Sequence, residues 1–93
     1  MTEVKNELQH VRVIINKLFD EKGNERPFKE YLVVTDDKGH LQKVAWRRNV
    51  NLQVFEGMHK VEFDCKYYNP EKYVEFPRVW IGDIVLDSIK KIS

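Results

Sequence analysis

Short runs in which apolar and polar residues alternate, each cut off by a turn signal, constrain this chain more than anything else in it. The clearest is Lys60–Tyr68 (KVEFDCKYY), with Val61, Phe63, Cys65 and Tyr67 on one face and Glu62, Asp64 and Lys66 on the other. Side chains of a strand point alternately to its two faces, so this run reads as a strand between a core and water. Alternation places Tyr67 in the core with Cys65 and leaves Tyr68 outside. His10–Phe19 (HVRVIINKLF) is rich in β-branched residues and puts Val11, Val13 and Ile15 on one face, Ile14 and Leu18 on the other.

The remaining segments follow the same logic. Asp20–Arg26 (DEKGNER) carries Gly23 and Asn24, suited to the positive-φ positions of a hairpin loop. Phe28–Thr35 (FKEYLVVT) is the second strand, with Pro27 at its start, where a missing N–H is tolerated. Asp36–Gly39 (DDKG) turns the chain into Leu41–Arg48 (LQKVAWRR), the third strand. Asn49–Glu56 fits a short helical turn or a brief strand equally well, and Gly57 restarts the backbone. Asn69–Pro77, bounded by prolines, reads as a long hairpin loop. Arg78–Ile92 (RVWIGDIVLDSIKKI) is the last strand, with a bulge or bend expected at Gly82 and a helical turn over Asp87–Ile92, where Leu86, Ile89 and Ile92 recur every third residue.

Five such segments in 93 residues make one domain over residues 1–93, with residues 1–8 a loosely ordered N-terminal segment. The fold class expected is mainly β: a small five-stranded antiparallel barrel with little helix, since a flat sheet this size would leave two open edges. Cys65 is the single cysteine, which points to a reducing, cytoplasmic setting. The N-terminus is polar and lacks the apolar core of a signal peptide, and no apolar run approaches membrane-spanning length.

The first strand HVRVIINKLF, the hairpin YLVVTDDKGHLQKVAWRR, the Gly57-led GMHKVEFDCKYY and the closing RVWIGDIVLDSI together resemble the OB-fold, and the single-stranded DNA-binding proteins built on it. The resemblance spans residues 8–90 and lies in pattern. It implies an OB-like barrel that binds single-stranded nucleic acid. The chain departs from that pattern in a connection before the fourth strand too short for a full helix, and in a first loop of mixed charge. A PUA-like or SH3-like small barrel is the alternative.

Charge supplies the functional lead. Between Lys38 and Phe55 lie four of the chain's 16 basic residues, Lys38, Lys43, Arg47 and Arg48, and none of its 15 acidic ones, with Trp46 among them. Binding a single strand needs cations for phosphates and aromatic faces for bases. The expected contact residues are Lys38, Lys43, Arg47, Arg48 and Lys60 for phosphate, with Trp46, Tyr31 or Tyr68 for stacking. Strand alternation divides this set: if Val44 faces the core so does Trp46, and Lys43 and Arg47 become the outward cations. A second aromatic cluster, Tyr67, Tyr68, Tyr73, Phe76 and Trp80, holds Lys66, Lys72 and Arg78 but also Glu71 and Glu75, so a self-pinned hairpin explains it equally well.

Catalytic signals are missing. His10, His40 and His59 are scattered, a zinc site lacks a second cysteine, and the glycines are isolated. The expectation is a non-enzymatic module with no cofactor and no metal, binding single-stranded DNA or RNA with little sequence preference. Homo-oligomerisation and the absence of a membrane partner complete it. The competing class is a protein-interaction or structural module, such as an accessory protein of a phage or mobile element, self-associating through a strand edge.

Overall fold

A computed structural model describes residues 8–93. The loosely ordered segment expected over residues 1–8 falls, except for Leu8, outside the described residues. Strand β1 (Gln9–Phe19) buries Val11, Val13 and Ile15, the face that alternation assigns to the core. It forms a hairpin with β2 (Glu25–Val34), pairing Val13 with Val33 and Ile15 with Tyr31. The register slips between the pairs Lys17↔Lys29 and Phe19↔Glu25. Pro27 sits in that slip, inside β2 rather than at its start, and β3 pairs only with Leu32–Val34, so its missing N–H costs no ladder bond.

The acidic turn residues close these hairpins. Asp20 accepts the N–H groups of Lys22 and Asn24 at 2.9 and 2.8 Å, and Asp36 those of Lys38 and His40 at 2.9 and 3.1 Å. Gly23 and Gly39 take the positive φ that each turn requires. The His40 N–H, ahead of the other donors, holds the Asp36 carboxyl below the usual carboxylate range.

Strand β3 (Leu41–Trp46) pairs antiparallel with β2, and β4 (Lys60–Pro70) antiparallel with both β1 and β5 (Arg78–Ile84). The barrel closes through β3 and β5, which run parallel, from Lys43↔Arg78 to Trp46↔Ile81. The circuit β1-β2-β3-β5-β4-β1 is therefore a closed five-stranded barrel of mixed pairing, compatible with an OB-like fold. The expectation of a wholly antiparallel barrel is corrected at this one seam. Strand alternation gives faces but not partners, and the parallel pairing follows from which ends meet. The longest helical piece among the described residues is a single 3-10 turn, Leu52–Phe55.

That turn is the plug of the barrel. Asn51 accepts the Gln53 N–H at 3.0 Å as its cap, and Phe55 inserts with its ring stacked on Phe63 at 5.4 Å and tilted against Trp46 at 5.7 Å. The buried core comprises Val11, Val13, Ile15, Val33, Phe55, Val61, Phe63, Cys65, Val79 and Ile81, with no buried polar residue among the described residues. Burial raises the Cys65 thiol to about 11, aided by the charges of Asp64 and Asp83, so it is a small apolar core residue.

The C-terminus differs from the long last strand expected. After β5 come a 3-10 turn at Leu86–Ser88 and a two-residue strand, β6 (Lys90–Lys91), paired with Val61 and Glu62 of β4. Ser88 donates to the Val85 carbonyl and accepts the Asp64 N–H at 2.7 Å, tying that turn down. No described helix is long and apolar enough to cross a membrane.

Candidate nucleic-acid interface

Beyond Trp46 the chain leaves β3, and the geometry of its exit decides where the cations go. The Arg47 N–H still bonds the Ile81 carbonyl at 3.0 Å, which carries Arg47 along the outer face of β5. Asn49 then takes φ 73°, a left-handed conformation that asparagine tolerates better than most residues, and turns the chain into the Asn51-capped plug. Arg47 and Arg48 are thereby held, exposed, at the rim of a cavity of about 890 Å³.

The floor of this cavity is the outer face of β4 and β5. Val79 and Ile81 point into the core, so Arg78, Trp80 and Gly82 point outward. Gly82 is buried because the Arg47 side chain lies on it: a Cβ there would stand 2.6 Å from Arg47 Cδ. Gly82 therefore reflects close approach rather than a bend of its own, and the positive φ falls on Asp83, at 52°. Lys66 and Asp83 face one another between the pairs Cys65↔Ile84 and Tyr67↔Gly82. Both strands change face here: Cys65 and Ile84 pack inward on one side of the irregularity, Tyr68 and Ile81 on the other. Tyr67 is consequently on the outer face and Tyr68 against the core, reversing the assignment made from alternation.

The Arg47 guanidinium lies over the Tyr67 ring, 4.1 Å from its centroid, with Asp83 at 3.7 Å. Glu71, at the root of the β4–β5 loop, accepts from the Trp80 indole N–H and from Arg78 Nε, the latter at 3.0 Å. Arg78 also covers Trp80, at 5.2 Å. Loop residue Glu71 thereby orients Trp80. Amide side chains of Asn49, Asn51 and Asn69 complete the polar lining.

The residues expected to contact nucleic acid separate into three groups. Arg47 and Arg48 meet at the cavity, and Lys43 shares the outer face of β3, beside Arg78 of β5. Lys38 lies in the β2–β3 turn and Lys60 at the opposite end of β4 from Tyr67, its N–H bonded to the Ser93 carbonyl; neither lines the cavity. The three aromatics turn inward. Trp46 and Tyr31 pack edge to face at 5.4 Å, and Trp46 Nε1 is buried with no partner among the described residues. Burial raises the phenols of Tyr31 and Tyr68. Trp46, Tyr31 and Tyr68, the expected stacking residues, are partly buried and pack against the core.

The aromatic faces at the site belong to Tyr67 and Trp80. Trp80 was legible in the alternation of Val79 and Ile81, which sends it outward with Arg78; Tyr67 was not. Tyr73 and Phe76, at the tip of the β4–β5 loop, are almost wholly and largely exposed, respectively. Comparison with family models, curated proteins and solved structures finds no match to this chain.

Proposed function

We propose that the barrel binds single-stranded nucleic acid along the outer face of β3, β5 and β4. The observation that carries this reading is the Arg47 guanidinium 4.1 Å from the Tyr67 ring centroid, beside Arg48 and Trp80, around an open cavity. A guanidinium plane and aromatic rings give bases stacking surfaces, each worth roughly 1–3 kcal/mol, while Arg48 and Lys43 flank the track for phosphates. The Arg47–Asp83 pair does not lock the guanidinium away, since an exposed ion pair is worth about 0–1 kcal/mol. Phosphate contacts and base stacking carry little sequence information, so weak base preference is expected of single-stranded DNA or RNA.

The test is a salt titration with a short unstructured oligonucleotide. Neutralising about three phosphates gives log K against log salt a slope of roughly −2, and Arg48→Glu makes it shallower by about 1. Absence of binding at low ionic strength overturns the reading.

A second reading, a protein-interaction module, draws on the β4–β5 loop tip, where Tyr73, Val74 and Phe76 are exposed together. It predicts that Tyr73→Ser with Phe76→Ser abolishes partner capture while leaving oligonucleotide behaviour unchanged.

A further inference from the structure

Two cations stand side by side on the outer face of the β3–β5 seam. The parallel register sets Lys43 opposite Arg78, and the next pair, Val44 and Val79, turns toward the core. Lys43 and Arg78 therefore leave the barrel on the same side, both exposed, from strands about 4.8 Å apart. Like charges directly opposite each other on a sheet destabilise it. Among the described residues Lys43 has no ion pair and Arg78 has one, with Glu71. That carboxylate does not use up the arginine. Glu71 accepts from Arg78 Nε at 3.0 Å with one oxygen and from the Trp80 indole with the other. The terminal amino groups of Arg78 make no hydrogen bond among the described residues, and they share a face with the Lys43 ammonium.

We infer that Lys43 and Arg78 together form a second phosphate-binding subsite on the oligonucleotide track. The subsite rests on the nucleic-acid reading above and adds Arg78 to its contacts. A phosphate between the two cations relieves their repulsion and accepts hydrogen bonds from both, which Glu71, turned to Nε and to Trp80, does not do.

Spacing separates this subsite from the first. Lys43 and Arg47 are four residues apart on a chain still paired with β5, which sets their backbones about 13 Å apart. Arg47 also lies across Gly82 toward Tyr67 on β4, away from Lys43. One phosphate cannot serve both, so the subsites take different phosphates of one strand. Trp80, opposite Ala45, stands between them. The nucleotide stacked on Trp80 is accordingly an internal one, and the strand passes from the seam at Lys43, over Trp80, to Arg47 and Tyr67.

Fluorescence anisotropy of a labelled oligothymidylate, titrated with the protein at several salt concentrations, tests this. Lys43→Gln and Arg78→Gln keep the wild-type circular dichroism, since both positions are exposed, and each weakens binding about three- to fivefold. The double variant flattens the slope of log K against log salt by about 0.7, the share of one phosphate on a single strand. Arg78→Lys gives up the Nε contact to Glu71 but keeps the charge, and it restores most of the affinity that Arg78→Gln loses. That rescue separates phosphate binding from the arginine's contact with Glu71. Wild-type binding that neither glutamine variant weakens overturns the subsite and leaves the nucleic-acid reading standing. A slope flattened by about 1.4 in the double variant assigns the cations to separate phosphates and overturns the subsite too, as does failure of Arg78→Lys to rescue. Absence of wild-type binding at low salt removes the nucleic-acid reading and the subsite with it.

Discussion

Two tryptophans near each other in the barrel wall have opposite roles, fixed by which side of a strand each occupies. Trp46 fills the space between Tyr31, Phe55 and Phe63. Trp80 stands outside, held by Glu71 and Arg78. Truncating Trp46 empties part of the core, so Trp46→Ala should cost about 3–5 kcal/mol of stability. Trp80→Ala should cost little stability but about 1–3 kcal/mol of oligonucleotide binding, read by denaturation and by anisotropy on the same samples. His10 offers a residue-scale test of a different kind. Its ring bonds Asp64 at 2.7 Å and Glu62 at 3.1 Å across the β1–β4 pair, and these carboxylates, Asp64 foremost, raise its pKa above 6.5. A raised folded value means that the stabilisation is fully present below about pH 6.5 and is lost as pH rises through the folded pKa. The melting temperature should therefore fall more between about pH 6 and 8 in this protein than in His10→Gln.

At the scale of elements, the junction of β3 and β5 positions the site. Arg47 reaches Tyr67 only because residue 82 has no side chain. Gly82→Ala puts a methyl group against Arg47 Cβ, Cγ and Cδ at once, so the whole arginine must shift rather than its tip. Overpacking of this kind costs about 1–3 kcal/mol, which a barrel with an intact core survives. The expected outcome is a folded protein, by circular dichroism, with weakened oligonucleotide binding. Retained affinity would show that the Arg47–Tyr67 stack is not the contact. The exchange of faces opposite Asp83 belongs to the same scale: a positive φ at an aspartate leaves no mark in the alternation pattern. Tyr67 and Tyr68 were for that reason assigned to the wrong faces, although the strand containing them was correctly bounded at its start.

For the whole molecule, strands and turns were readable because each is a local property: β-branched alternation, Asx turns, glycines at positive φ. The closure was not. Parallel pairing of β3 with β5 joins residues more than thirty positions apart, and nothing local to Leu41–Trp46 or Arg78–Ile84 specifies it. The acid-free window met the same limit. Its composition grouped Lys38, Trp46 and Arg48, whereas the fold keeps only Arg47, Arg48 and Lys43 on the candidate track and supplies the aromatics from β4 and β5. The central claim is that single-stranded nucleic acid lies across Arg47, Tyr67 and Trp80. A titration of isotope-labelled protein with a short oligothymidylate at low salt, followed by proton–nitrogen correlation spectra, tests it most directly. The account predicts that the Trp80 indole and the Asn49–Asn51 amides shift while the buried Trp46 indole stays in place. Unmoved spectra, or shifts confined to other faces of the barrel, would contradict it.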